Sequence, residues 1–279
     1  MFAAPDWLCV AALFVFGLLF GSFANVVIWR FPRGESLSSP PSHCPACDHS
    51  IRWRDNIPVL SWLLLRGRCR DCGTPIPVRY PLVELASAFL WVTAGLAFSP
   101  GPATLTAIFL FYLLLILSAI DLDFMRLPNG LVALLGGVGY LLVLLAQTVL
   151  PRLAPLTPVE SGPFAQPVVA ALIGSVSAGG LSLLIALLYR RVRGRSGLGM
   201  GDVKLLMALG AFLGVYTVLV LFIGSVFGAA IGIAIALRSP KGGMASKIPF
   251  GPFLALGAIV TALAGAPLVG WYLGLVTGT

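Results

Sequence analysis

The sequence predicts an all-α polytopic membrane protein, with about eight transmembrane helices and one small cytoplasmic zinc-ribbon-like module. Three observations carry this. Of 279 residues, 58% are hydrophobic and only 10% are charged, whereas a soluble domain is about 25% charged. Several apolar runs reach the roughly 20 residues needed to cross a bilayer. One polar stretch alone is long enough to fold outside the lipid, and it carries two Cys-x2-Cys pairs.

Residues 7–28 form the first expected span, stopped by Arg30, Pro32 and Arg33. Its run is too long, and lacks the basic n-region, for a cleavable signal peptide. The polar stretch 31–80 follows. A second span over residues 82–98 ends at the turn Ser99-Pro100-Gly101-Pro102. The third, 103–120, leads directly into Asp121-Leu122-Asp123. Arg126-Leu127-Pro128-Asn129 breaks the chain before the fourth span, 131–150. A Pro-rich loop over 151–167 precedes the fifth, 168–189, which meets Arg190, Arg191, Arg193 and Arg195. After Gly197-Leu198-Gly199-Met200-Gly201-Asp202 comes an apolar run from 203 to 237. A single helix there would be about 52 Å long, against a hydrocarbon core of about 30 Å. Splitting it near Gly214-Val215 yields a short sixth helix and a full seventh. A basic loop over 238–247 separates these from a last span over 250–273. The domain reading is residues 1–30 as the first transmembrane helix, 31–81 as the cytoplasmic metal module, and 82–279 as the membrane domain with aspartates at 121 and 202.

Charge orients the spans. The net charge of +8 is not a nucleic-acid footprint, because the basic residues lie in loops between apolar runs. With stretch 31–80 in the cytoplasm, Arg152 alone of the 18 Lys and Arg lies outside. The positive-inside rule then places both termini outside.

This orientation brings two carboxylates to one membrane edge. Asp121 ends the third span and Asp202 begins the sixth. Two carboxyls held close together share one proton. One then acts as general base on water while the other, protonated, polarises a carbonyl. That is peptide-bond hydrolysis of the aspartic type. Glycines at 197, 199 and 201 allow close backbone approach by a helix or a substrate strand. The plain structural alternative is a pair of charged helix caps. Asp202 at a helix N-terminus suits it, whereas Asp121 at a C-terminus does not. Asp123 competes with Asp121; on a continuing helix the two point about 200° apart, and position alone does not rank them. Glu84, just inside the second span, reads either as a functional acid or as an interfacial group beside Arg79.

Cys44, Cys47, Cys69 and Cys72 form two knuckles 21 residues apart, suited to a closed, structural zinc site. A segment of about 50 residues also needs such a staple, having too small a core. Disulfides do not suit a cytoplasmic segment. With four thiolates available, His43 and His49 read as solvated neighbours. Trp53, Asn56, Pro58 and Trp62 read as packing the module against the membrane surface. Cys9 reads as a lipid-facing or packing residue.

Taken together, these residues resemble the bacterial prepilin peptidases, which process type IV prepilins and type II secretion pseudopilins. The resemblance rests on the run from Phe20-Gly21-Ser22-Phe23-Ala24-Asn25 to Phe31-Pro32, the two Cys pairs, and Arg79-Tyr80-Pro81-Leu82-Val83-Glu84-Leu85. It continues through Ile120-Asp121 with Leu127-Pro128-Asn129, Gly199-Met200-Gly201-Asp202-Val203-Lys204-Leu205, and Pro249-Phe250-Gly251-Pro252. It covers about residues 18–255. It implies catalytic aspartates at Asp121 and Asp202, so Asp123 becomes a neighbour. It implies cleavage of the leader after a Gly at the cytoplasmic face of the inner membrane. It also implies N-methylation of the new terminal residue, typically Phe, with S-adenosylmethionine as methyl donor. The prepilin substrates and membrane lipid are then the partners. The link between Arg33 and Cys44 is shorter than in some relatives. Two other readings stand beside this one. A peptidase-only relative, archaeal or presenilin-like, lacks the Cys module; a transporter places its carboxylates nearer mid-membrane.

Overall fold

The computed structural model describes residues 7–98, 101–150, 153–154, 156–157, 162, 165–194, 197–238 and 248–278. Ser99, Pro100, Arg152 and Arg195, and most of the loops 151–167 and 238–247, lie outside the described residues. The described residues form nine α-helices and no strand. They are α1 (Trp7–Arg30), α2 (Leu60–Leu64), α3 (Arg79–Phe98), α4 (Pro102–Phe124), α5 (Asn129–Thr148), α6 (Pro167–Arg193), α7 (Met200–Leu213), α8 (Thr217–Arg238) and α9 (Gly251–Thr277).

Among these, seven helical stretches are long and apolar enough to cross a membrane, with residues 200–238 counted as one stretch of 39. That stretch is broken where its length requires. Gly214 takes φ +50, open to glycine at little cost, and a 3-10 turn over Gly214–Tyr216 separates α7 from α8. The chain reverses there. Asn129 and Gly136 of α5 lie beside Lys204 and Ala208 of α7, so α5 and α7 run the same way. The start of α8 lies beside the far part of α9: a Cβ on Gly265 would meet Tyr216, and one on Gly228 would meet Phe250. α8 thus returns toward the end where α7 began. Counting α7 and α8 separately gives eight apolar helices, of which α7, with 14 residues, is too short to cross by itself.

The chain divides into two compact units, residues 1–100 and 101–279. In the first, α1 and α3 pack antiparallel. A Cβ on Gly17 would stand 2.5 Å from the Ala88 Cα, and one on Gly21 would stand 2.6 Å from the Glu84 Cα. Apolar attraction does not hold helices together in lipid, so such close contact supplies the association. Arg30 at the end of α1 is buried and donates to the carbonyls of Ser36 and Pro40 at 3.0 and 2.8 Å. It pins the chain that leaves the helix rather than standing in solvent as a simple stop.

In the second unit α4 is the most enclosed span, with Leu110, Phe111, Leu114, Leu117 and Ile120 buried. α7 has 14 residues, about 21 Å, and ends inside the apolar layer. Its last carbonyls need donors there. The Leu156 N–H supplies one to Phe212 at 2.6 Å, and the Thr157 hydroxyl supplies another to Leu213 at 2.7 Å. The loop residues Leu153, Ala154, Leu156 and Thr157 are buried, while Gly162, Ala165 and Gln166 are exposed.

Candidate functional site

The two aspartates come from helices that bring them to the same end of the second unit. Asp121 lies one turn before the end of α4, which closes with Met125 in the left-handed conformation at φ +53. The dipole of its own helix disfavours a carboxylate there. α9 offsets this: the Gly251 N–H donates to Asp121 Oδ2 at 2.8 Å. Gly251 is the first residue of α9 and Pro252 the second, so a helix-terminal N–H faces the carboxylate. A Cβ at 251 would lie 2.7 Å from Asp121 Oδ2, so any larger residue there would displace the carboxylate.

Asp202 is the third residue of α7. Its Oδ2 accepts the Gly199 N–H at 3.2 Å, the carboxylate half of a capping box. Asp121 and Asp202 are 5% and 8% exposed, and they bear on each other electrostatically. Among the described residues no hydrogen bond engages Oδ1 of either. Each carboxyl thus keeps one oxygen for water or substrate. Asp123 is exposed, which separates it from Asp121 in the way the helical angle requires.

The glycines before Asp202 serve packing. A Cβ on Gly197 would stand 2.6 Å from the Tyr189 ring, and one on Gly201 would stand 3.1 Å from Leu127, in the link between α4 and α5. Gly201 thus fits the start of α7 against the chain leaving Asp121. Lys204 Nζ donates to Asn129 Oδ1 at 2.9 Å, tying α7 to the start of α5. Beyond this pair, a cleft of about 410 Å³ runs between α5, α6 and α7 past Gly136 and Ala208 to Tyr140 and Ser175. Sequence reasoning did not find Gly251 as a donor to Asp121. The local sign was a Gly-Pro step opening an apolar run.

In the first unit the sulfurs of Cys44, Cys47, Cys69 and Cys72 lie within 4.8 Å of one another. The two knuckles repeat one design at an offset of 25 residues. Cys44 N–H donates to His49 O as Cys69 N–H donates to Thr74 O. Asp48 and Gly73 hold equivalent left-handed turns at φ +57 and +71. Isolated bridges His43–Ser50 and Arg68–Pro75 complete the match. The Thr74 hydroxyl, 3.2 Å from Cys72 Sγ, helps hold that thiol down to about 6, while burial and the neighbouring thiols push Cys47 up to about 12. His43 Nδ1 faces the Pro41 carbonyl at 3.2 Å. Arg70, between the second pair, grips Asp55 with its Nε and Nη2 at 2.6–3.0 Å. That guanidinium holds the Asp55 carboxyl below the usual carboxylate range. Glu84 is buried in α3 and accepts the Val59 N–H at 2.7 Å and a Ser22 hydrogen bond.

Comparison with known proteins agrees with this division. Residues 15–98 match the bacterial peptidase A24 N-terminal domain, and residues 108–233 match the type IV leader peptidase family. A protein of Aeromonas hydrophila named prepilin leader peptidase/N-methyltransferase is 38% identical over 293 residues, covering 96% of this chain and 94% of its own. The chain belongs to the type IV leader peptidase family. A second relative, from Klebsiella pneumoniae and of the same name, is 45% identical over 208 residues, covering 72% of this chain and 84% of the relative. An Escherichia coli relative named type 4 prepilin-like proteins leader peptide-processing enzyme is 36% identical over 263 residues, with coverages of 88% and 90%. No solved structure matches. The match to the leader peptidase family spans both Asp121 and Asp202, and that to the N-terminal domain spans the four cysteines and Glu84. This member of the family is a multi-pass bacterial membrane protein.

Proposed function

We propose that this protein removes the leader peptide of type IV prepilins and type II secretion pseudopilins, cutting after a Gly at the cytoplasmic face of the inner membrane, and N-methylates the new amino terminus. Asp121 and Asp202 are the catalytic pair of an aspartic endopeptidase within residues 82–279. The observation that carries this reading is the burial of both carboxyls at one end of the second unit, each held by a helix-terminal N–H and each with one oxygen left open.

The ionised carboxylate takes a proton from a water, whose oxygen attacks the scissile carbonyl. The protonated carboxyl donates to the carbonyl oxygen. Collapse of the tetrahedral intermediate breaks the C–N bond, and the proton taken from water passes to the leaving amine. The cycle returns one shared proton to the pair.

Cys44, Cys47, Cys69 and Cys72 hold a zinc ion. Four thiolates close its coordination, so it braces the 31–81 module and offers no open position for substrate. S-adenosylmethionine is the methyl donor that the relatives' name implies. No strand–glycine loop–helix cradle of the soluble kind exists among the described residues. Both termini lie outside, from the distribution of Lys and Arg.

The test is cleavage of a prepilin in vesicles by the wild type and by Asp121→Asn and Asp202→Asn. Normal processing by either variant refutes the pair. The mass of the processed amino terminus reads methylation separately.

A further inference from the structure

We propose that the segment linking the two Cys knuckles is a membrane-interface anchor, dipping its apolar face below the lipid headgroups and pairing its arginines with anionic ones. The inference rests on the chain spanning a membrane and not on the assignment of the aspartates.

The depth of the segment beside α3 fits this role. The Val59 N–H donates to Glu84 at 2.7 Å. Glu84 lies five residues into α3 from Arg79, about 7.5 Å along its axis. α3 is a membrane-crossing helix that begins with Arg79 and Tyr80, residue types that settle at the interface. α2 therefore starts beside α3 below that helix's first turn, at the level where interfacial helices lie, about 5–10 Å into the headgroup and acyl boundary. Val59 sits at φ +60, a conformation that β-branched residues avoid. The fold accepts that strain where the segment is tied to the membrane helix.

The face that α2 presents fits it as well. Ser61 is buried, accepting the Ile57 N–H and donating to the Arg54 carbonyl. Trp62 turns inward and donates to the Ile76 carbonyl at 3.0 Å. These contacts close the inner side of α2. Its outer side leaves Leu60, Leu63 and Leu64 at 49%, 59% and 72% exposure, with Trp53 at 82%. A contiguous patch of large apolar side chains on a small polar module marks an interaction surface. Arg54, Arg66 and Arg68, also exposed, flank it. An apolar face at headgroup depth with a cationic border matches a bilayer rich in anionic lipid.

The test places a nitroxide side chain at Leu64, or separately at Leu63, in the full chain reconstituted in phosphatidylcholine vesicles with or without phosphatidylglycerol. Collision with oxygen, which enters lipid, is compared with collision with a water-soluble nickel chelate. The proposal expects oxygen access with nickel shielding, at a depth of about 5–10 Å below the phosphates. Free nickel access overturns it in favour of a water-exposed face. Shielding from both reagents overturns it in favour of a protein partner or a second copy. Replacing Arg54, Arg66 and Arg68 with Gln is expected to raise nickel access in phosphatidylglycerol vesicles. Equal access with and without those arginines refutes the role given to the anionic headgroups.

Discussion

Single residues set the chemistry at both centres. Asp121→Asn and Asp202→Asn are each expected to lower the initial rate of prepilin cleavage by about 10²–10⁴-fold, with the double variant little worse than either, because the two act as a unit. Gly251 is the sharper probe. A methyl group there would stand 2.7 Å from Asp121 Oδ2 and push the carboxyl from its place. Gly251→Ala is expected to cost about 10²-fold in rate, the scale of a displacement near 1 Å. The thermal midpoint should change little, since alanine suits a first helical turn. An unimpaired Gly251→Ala enzyme would show that the contact to α9 does not position Asp121. In the Cys module the Arg70 guanidinium faces Asp55, with Arg54 and Arg52 also near. The folded carboxyl lies lower than its unfolded value. Its contribution is therefore present above about pH 4 and lost as pH falls through the folded value. Arg70 is half-exposed, so solvent screens the pair and its contribution is small. Chemical denaturation of wild type and Asp55→Asn should differ near neutrality and converge in acid; a gap that persists in acid would assign the difference elsewhere.

Elements carry these residues to their places, and α7 decides most of it. It carries Asp202 in its first turn and ends inside the apolar layer, where the Thr157 hydroxyl meets the Leu213 carbonyl. Removing that donor leaves a buried carbonyl short of a partner, a loss of about 1–3 kcal/mol. Thr157→Val should lower the thermal midpoint of the reconstituted protein accordingly; an unchanged midpoint would mean that water serves the carbonyl instead. α6 lies close along α7, where a Cβ on Gly210 would strike the Ser175 backbone. α9 serves Asp121 in a different way: its N-terminal end offsets the unfavourable dipole of α4. The same carboxylate that looks misplaced on its own helix is well placed on its neighbour's.

At the scale of the whole molecule, the two compact units depend on different forces. The second is held by close helix packing throughout. The knuckle module has little core, and its four sulfurs lie within 4.8 Å of one another, close enough to share a metal ion. Chelation of the metal is therefore expected to raise amide exchange across residues 43–76 while α4 to α9 keep their protection; unchanged exchange in the module would refute a structural metal. Much of this was legible in sequence. Membrane residence, the order of the apolar runs and the break near Gly214 follow from composition and length, because a bilayer has one thickness and a helix one rise per residue. The cysteine set follows from spacing, because knuckle geometry is local. Three things waited for tertiary structure. Gly251 meets Asp121 across 130 residues. The loop residues Leu156 and Thr157 turn inward to finish α7. Trp62, expected at the membrane surface, faces inward and leaves that surface to Leu60, Leu63 and Leu64. Each depends on which helix lies beside which. A hydropathy pattern sets how long an element is and where it stops, but in lipid it does not distinguish one apolar neighbour from another.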